Sequence, residues 1–299
     1  QVLLFRAYAL KSVCPAYNLH HQNDCCSWSA MRFYRVRQAK RYCSSGRAVF
    51  IIRSLINHFL MSRSMDITPM NPAPLAFDLV IFDCDGVLVD SEIISCSAVA
   101  DVLSRHGVPT DLDYALRTFL GRPASAVTDA FTRQTNRPLP HTFVSSWREY
   151  LFKRFEQELV AVDGIRLAIE AIPLPRCVAS SSDEERLQIS LGQTGLLPLF
   201  EGNIFSTTMV KHGKPAPDLF LHSARQMGVS APRCVVIEDS PSGVKAAKAA
   251  GMTAVGFTGG SHYSVLDNTE TLLNAGADHI VKCAAELPSL LREISADGR

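Results

Sequence analysis

Short apolar segments that alternate with helical stretches constrain the fold of this chain more than any other feature of its sequence. From residue 76 onward, short and mostly apolar runs end in small or acidic residues, and each is followed by residues with helical spacing. This alternation is typical of βαβ units around a parallel sheet, whose buried strands read as unbroken apolar runs. We therefore predict six strands, at residues 77–82, 176–179, 203–205, 234–237, 253–257 and 279–281.

One helix between these strands has recognisable start and stop signals. Ser240 is a favourable N-cap and Pro241 suits the first helical position, where a missing N–H costs no hydrogen bond. Gly251 follows the last turn, as glycine often does. The sequence thus predicts a helix over residues 241–250.

A long insertion interrupts the alternation after the first strand. About ninety residues separate the first two strands, whereas a parallel crossover needs only about a dozen. Within the insertion, apolar residues recur every fourth position, as in a helix stripe: Trp147, Leu151, Phe155 and Leu159. We predict a small helical cap at residues 92–160, with this stripe packed between cap helices. The cap is inserted into an α/β core with a parallel sheet, formed by residues 76–91 and 161–299.

The first 75 residues differ in character from the rest. They carry ten Lys and Arg against two acids, a net charge of +8, while the remainder carries −7. They show no sustained helical or strand period, and we predict a basic extension that is disordered or non-native, with translation starting at Met61, Met65 or Met70. An organellar transit peptide is the open alternative. The basic cluster at 32–41 is a weaker candidate for nucleic-acid contact.

Two further sequence properties bear on location. The nine cysteines form no CxxC pair, which favours reduced thiols in a cytosol over a disulfide framework or a zinc site. The apolar run at 48–61 is interrupted by Arg53 and His58 and is too short to span a bilayer, which needs about 20 apolar residues. We expect a cytoplasmic protein without a membrane or nucleic-acid partner.

Acids, hydroxyls and a lysine lie close to the predicted strand ends. In an open parallel sheet, reactive groups collect just past the carboxyl ends of the strands. The candidates there are Asp83 and Asp85 after the first strand, Ser180 and Ser181 after the second, Lys214 before the fourth, and Glu238 and Asp239 at its end. Carboxylates beside apolar strands are costly to bury without partners. Because clustered carboxylates bind hard divalent cations, they predict a Mg²⁺ site.

Phosphoryl transfer needs such an ensemble, because its main tasks are positioning and charge neutralisation. Asp83 would attack phosphorus and form an aspartyl-phosphate. Asp85, two residues on, would protonate the leaving oxygen and then take a proton from the hydrolytic water. Mg²⁺ between Asp83 and the phosphate would remove the repulsion between two anions. Gly86 would let the chain turn sharply just after them.

The other candidates would hold the metal and the phosphoryl group. Asp239 is predicted as a further metal ligand, and Glu238 as either a ligand or a group that orients one. Lys214 supplies a fixed positive charge. Ser180 and the backbone around Ser181 would hold phosphoryl oxygens, although Ser180 taken alone also fits a simple turn residue.

Four stretches resemble the four motifs of the haloacid dehalogenase superfamily in order and approximate spacing: 83–92 (DCDGVLVDSE), Ser180, 214–218 (KPAPD) and 238–240 (EDS). Within that superfamily, residues 76–299 are similar to the phosphoglycolate phosphatase and β-phosphoglucomutase group, and among these to the bacterial 6-phosphogluconate phosphatase-like members. The resemblance implies a Rossmann-like, doubly wound parallel-sheet core with an inserted helical cap, and obligate Mg²⁺. It also implies metal contacts through the Asp83 side chain, the Asp85 main-chain carbonyl and Asp239.

Substrate specificity in this group is supplied by the cap. Residues 120–122 fall where a cap loop meets the substrate, so Gly121 and Arg122 are predicted to bind it. Arg122 suits a second anionic group through forked hydrogen bonds, but an ordinary solvated arginine fits equally well. The predicted substrate is a small phosphorylated metabolite: a sugar phosphate, a sugar-acid phosphate such as 6-phosphogluconate, or phosphoglycolate.

Two other functions compete with hydrolysis. A β-phosphoglucomutase usually carries a His ten residues beyond the acid/base Asp, where this chain has Ser95. A receiver-type signalling module would lack both the large cap and an acid two residues past the phospho-acceptor. We therefore predict a Mg²⁺-dependent phosphatase, as a monomer or homodimer.

Overall fold

The computed structural model describes residues 75–122 and 125–297 of the chain. In these residues it contains six strands: β1 Leu79–Phe82, β2 Arg176–Ser180, β3 Ile204–Ser206, β4 Cys234–Glu238, β5 Thr253–Phe257 and β6 His279–Val281. All are parallel, in the order β3-β2-β1-β4-β5-β6. The predicted parallel sheet is confirmed.

Helices connect the strands. In chain order they are α1 Glu92–Arg105, α2 Leu112–Phe119, α3 Ser125–Thr135, α4 Phe143–Glu158, α5 Ile165–Ala171, α6 Glu184–Gln193, α7 Asp218–Gln226, α8 Pro241–Ala249, α9 His262–Val265, α10 Thr269–Asn274 and α11 Leu287–Asp297. Helix α8 matches the predicted one to within a residue, and the Ser240 Oγ accepts a hydrogen bond from the Gly243 N–H at 3.1 Å. Gly251 follows it with a φ of +73°.

The first strand begins two residues later than predicted. Asp78 donates its N–H to the Arg233 carbonyl, and its carboxylate pairs with the Arg233 guanidinium at 2.7 Å. Asp78 therefore leads into the sheet, and the ladder itself starts at Leu79. Sequence alternation alone does not distinguish a residue that precedes a strand from one that belongs to it.

Both faces of the sheet are covered. Val80 and Phe82 belong to one hydrophobic cluster with residues of α5, α6 and α11, while Leu79 and Ile81 belong to a second with residues of α7, α8 and α10. Successive strand residues point to opposite faces, so β1, fully buried, needs apolar side chains at all four positions. The doubly wound α/β fold is thereby confirmed.

Helices α1 to α4, here called the helical insert, separate β1 from β2. Leu103, Leu116 and Phe143 belong to a third cluster formed by residues of the insert. The stripe on α4 is core packing, as predicted, but its packing is not confined to cap helices. Leu151 and Phe155 belong to the cluster on the sheet, because a 16-residue helix is about 24 Å long and its second half reaches the core.

The chain leaves the core and returns to it at the same place. The Asp90 N–H donates to the Val160 carbonyl at 3.0 Å, and the Val162 N–H donates to the Leu88 carbonyl at 3.0 Å. An antiparallel bridge joins the two segments between these hydrogen bonds. The two connections of the insert thus run side by side.

The predictions for the basic extension fall on residues 1–74, outside the described residues, and on Leu75 at their edge. Among the helices of the described residues, none is long and apolar enough to cross a membrane.

Candidate active site

Asp83 lies at the carboxyl end of the central strand beside a buried lysine. Its N–H donates to the Ile237 carbonyl at 3.0 Å, which continues the ladder between β1 and β4. The Lys214 Nζ donates to Asp83 Oδ1 at 2.7 Å and to Glu238 Oε1 at 2.6 Å. Burial acts to lower the pKa of Lys214, but these two carboxylates outweigh it and raise that pKa. The lysine is therefore a fixed cation.

Glu238 is surrounded by donors. Besides Lys214, it accepts hydrogen bonds at Oε2 from the Ser240 N–H at 2.8 Å and from the Ser240 Oγ at 2.9 Å. It has no solvent-exposed surface. A Cβ at Gly243, in the first turn of α8, would lie 1.7 Å from Glu238 Oε1, so a glycine is required there. Glu238 is well placed to orient Lys214.

Three buried carboxylates converge at this edge of the sheet. Asp83, Glu238 and Asp239 each place one oxygen within 4.8 Å of the others. Burial raises the pKa of Asp83 to about 7, although the Lys214 ammonium opposes this. The pKa of Asp239 is raised well above its ordinary value, first by burial and then by the charge of Glu238. Lys214 pairs with only two of these three carboxylates, so the group lacks positive charge, and an all-oxygen donor set fits a hard dication such as Mg²⁺.

Asp239 is fixed by residues that sequence reasoning did not identify. The Tyr263 Oη donates to its main-chain carbonyl at 2.6 Å. The His262 Nε2 lies 3.3 Å from Asp239 Oδ2, and burial lowers the pKa of this histidine to about 4, so it is neutral near pH 7. Gly86 has a φ of +76°, and a Cβ there would lie 1.8 Å from Asp239 Oδ2. The expected sharp turn at Gly86 thus also makes room for Asp239.

Asp85 has a different set of partners. Its Oδ1 accepts hydrogen bonds from the Ser91 Oγ at 2.6 Å and the Arg186 Nη2 at 2.7 Å, and its Oδ2 accepts one from the Ser182 Oγ at 2.6 Å. Burial raises the pKa of Asp85, but the Arg186 guanidinium and the two hydroxyls outweigh it, and the pKa is lowered. The Asp85 carboxylate is not part of the three-carboxylate group. Its metal contact was assigned to its main-chain carbonyl and stays a prediction.

Arg186 is a further functional candidate that the sequence does not identify. It lies in the first turn of α6, where its N–H donates to the capping carboxylate of Asp183 at 2.9 Å. A cation in a first helical turn opposes the helix dipole, and this was the only available signal.

Ser180 ends β2, the strand that pairs with β1, and Ser181 follows it. Ser180 is buried, and its Oγ accepts a hydrogen bond from the Ser182 N–H at 3.1 Å. Ser181 is exposed. Their contacts with a phosphoryl group stay predictions.

The loop after α2 reaches the same edge of the sheet. Gly121 has a φ of +64°, and a Cβ there would lie 3.7 Å from the Ser240 Cβ. Ser240 caps α8 directly after Glu238 and Asp239, so the loop of the insert lies beside the acidic cluster. Gly121 and Arg122 are both exposed, and substrate contact by Arg122 stays a prediction.

Comparisons with known proteins agree with this geometry. Residues 80–257 match the family described as haloacid dehalogenase-like hydrolase. The chain is 30% identical to the 6-phosphogluconate phosphatase of Escherichia coli, over 62% of this chain and 84% of that protein. It is 30% identical to a phosphorylated carbohydrates phosphatase of Thermotoga maritima, over 73% of this chain and 99% of that one.

A solved structure has the same fold. A haloacid dehalogenase-like protein of unknown function from Agrobacterium tumefaciens is 36% identical and superposes with a TM-score of 0.65, covering 75% of this chain and all of that one.

Proposed function

The chain belongs to the haloacid dehalogenase-like hydrolase family, and from that premise we propose that it is a Mg²⁺-dependent phosphatase of small phosphorylated metabolites that works through an aspartyl-phosphate. The observation that carries the proposal is the pairing of Asp83 with Lys214 at 2.7 Å within a group of three buried carboxylates. A carboxylate held beside a fixed cation can approach an anionic ester.

The metal would be held by Asp83, Asp239 and the main-chain carbonyl of Asp85. When bound, Mg²⁺ supplies positive charge between the attacking carboxylate and the phosphoryl oxygens. Because both oxygens of Glu238 already accept hydrogen bonds from Lys214 and Ser240, we assign Glu238 to orienting the lysine.

Asp83 and Asp85 divide the chemistry. As the bond from the Asp83 oxygen to phosphorus forms, the bond from phosphorus to the leaving oxygen breaks, and that oxygen takes a proton from the protonated form of Asp85, a minor form because Arg186 and two hydroxyls lower the pKa of Asp85. In the second step, which hydrolyses the aspartyl-phosphate, a water oxygen attacks phosphorus and Asp85 takes back a proton. Orthophosphate leaves and the Asp83 carboxylate is restored. Lys214 and the Ser180 hydroxyl would stabilise charge on the phosphoryl oxygens in both steps.

The substrate class follows from the relatives and from the insert. Relatives are named for 6-phosphogluconate and for phosphorylated carbohydrates, and we propose sugar phosphates and sugar-acid phosphates, with phosphoglycolate as a smaller candidate. Arg122 is proposed to bind a second anionic group. Ser95, where mutases of this group carry a histidine, supports hydrolysis over intramolecular transfer.

An ester panel tests the proposal. Purified protein with Mg²⁺ should release orthophosphate from one or more sugar phosphates, and EDTA should abolish the release. Asp83→Asn should lower turnover at least about 1,000-fold, because it removes the nucleophile. The matched control Asp113→Asn changes an exposed acid of α2, paired with Arg117, and should retain full activity. Turnover that survives Asp83→Asn would remove the proposed nucleophile.

A further inference from the structure

Arg186 is a mostly buried cation, with 17% of its side chain exposed, and its contacts are unlike those of an ordinary structural arginine. Among the described residues, its one ion pair is with Asp85, at 2.7 Å. The same Nη2 also donates to the Ser95 Oγ at 3.1 Å, while Nε is buried without a hydrogen-bond partner in the described part of the chain. A cation buried for stability alone is expected to have its donors satisfied. The contacts of Arg186 instead centre on Asp85.

The two aspartates of the site have separate cations. Lys214 contacts Asp83 and Glu238, and Arg186 contacts Asp85. The nucleophile and the acid/base therefore do not share a counter-ion, and each carboxylate keeps its own direction. Such fixed orientation matters because a proton can be transferred only within hydrogen-bond reach.

Arg186 also contacts the helical insert from the core. It lies in the first turn of α6, three residues after the capping Asp183, whereas Ser95 belongs to α1 and Phe155 to α4. The guanidinium carbon lies 5.2 Å from the centre of the Phe155 ring, within the range of a cation–π contact. One side chain thus touches Asp85 and two helices of the insert.

We propose that Arg186 is a positioning residue that holds the Asp85 carboxylate in place for proton transfer and links its orientation to the helical insert. The inference rests on the proposed phosphatase function, in which Asp85 gives a proton to the leaving oxygen. A leaving group that is stable as an anion needs no such proton, whereas an alkoxide does. Loss of Arg186 should therefore affect esters unequally, and a purely structural role would not.

The test compares two esters in the first turnover of Arg186→Met, which keeps a long apolar stem against Phe155 but removes the charge. The rate with the best alkyl phosphate of the panel should fall about 100-fold. Release of nitrophenolate from 4-nitrophenyl phosphate should fall less than about tenfold, because nitrophenolate leaves without a proton. Arg186→Lys restores a positive charge but not the forked donors of a guanidinium, and it should recover part of the rate with the alkyl phosphate.

Arg148→Met is the matched control. Arg148 lies on α4 and pairs with Asp183 and Glu185 at 2.6 and 2.7 Å rather than with Asp85. Its loss removes a cation at the same boundary and should change both esters by the same small factor. Equal losses for the two esters in Arg186→Met, or no loss for either, overturn the inference.

Two further outcomes are informative. If Arg186→Met does not fold, the same comparison made with Arg186→Lys decides: a selective alkyl loss supports the inference, and an equal loss or none contradicts it. If the wild type hydrolyses no ester at all, the phosphatase function itself fails. An active wild type without ester selectivity in the variants overturns the role of Arg186 alone.

Discussion

At Gly243, the absence of a Cβ leaves room for the Glu238 carboxylate. In the first turn of a helix, Gly→Ala normally stabilises by about 0.5–1 kcal/mol. Here the added Cβ would lie 1.7 Å from Glu238 Oε1, and Glu238 would have to move away from Lys214. We expect Gly243→Ala to lower the midpoint of urea unfolding and to reduce turnover.

Gly192 provides the control. It lies on α6, and a Cβ there would meet no atom within 4 Å. We expect Gly192→Ala to retain full activity and to unfold at an equal or higher urea concentration. If both substitutions behaved alike, the clash with Glu238 would not be the cause.

At the residue scale, the sequence predicted the side chains that chain order alone brings to one edge. Asp83, Glu238 and Asp239 follow apolar strands of a parallel sheet, so their meeting is a consequence of topology. Arg186 and His262 could not be predicted in the same way. They lie in helices after strands β2 and β5, and only the packing of those helices decides that they contact Asp85 and Asp239.

At the scale of elements, helix α4 belongs to both parts of the molecule. Phe155 is fully buried in the sheet cluster, while Val144 on the same helix is 50% exposed. We expect Phe155→Ala to lower the free energy of unfolding by about 3–5 kcal/mol, since it leaves a large cavity. Val144→Ala should change it by less than about 0.5 kcal/mol. Urea titrations measure both, and a small effect at Phe155 would mean that α4 does not support the core.

The pairing between α4 and α6 should make stability depend on pH. The hydrogen bonds from Arg148 lower the pKa of Asp183 from 3.8 to about 2, although burial opposes them. A carboxyl with a lowered folded-state pKa stabilises the protein above about pH 4, and this contribution is lost as the pH falls from there towards 2.

We therefore expect the urea midpoint of Arg148→Met to lie below that of the wild type at pH 6. The difference between the two midpoints should narrow as the pH falls through 3.8 towards 2. A gap that stays constant down to pH 2.5 would show that this pair contributes nothing to the acid dependence.

The sequence was less informative about how elements pack than about where they lie. The period of four in α4 correctly predicted one apolar stripe, since helical spacing fixes which residues share a face. It did not reveal that Phe155 belongs to the cluster on the sheet, or that Trp147 packs against both that cluster and the cluster of the insert. An apolar stripe has the same sequence pattern whether another helix or the sheet covers it.

At the scale of the whole molecule, metal binding should appear as global stability. A ligand that binds only the folded state at 100 times its dissociation constant adds about 2.7 kcal/mol to the free energy of unfolding. We expect this increment from Mg²⁺ in the wild type and its loss in Asp239→Asn. Asp85→Asn should keep it, because that contact is assigned to the main-chain carbonyl. Thermal unfolding with and without Mg²⁺ measures this increment in all three proteins. An increment retained in Asp239→Asn would exclude Asp239 as a metal ligand.

The adjacent hydrogen bonds of Asp90 with Val160 and of Val162 with Leu88 bring the two ends of the insert together. A segment whose two ends meet can be lengthened, shortened or replaced without rerouting the strands around it. A replacement insert would have to keep the packing of Leu151 and Phe155 on the sheet and the contact of Ser95 with Arg186, while its other side chains could differ. Chimaeras joined at these two backbone positions would offer a practical route to new selectivity on the same scaffold.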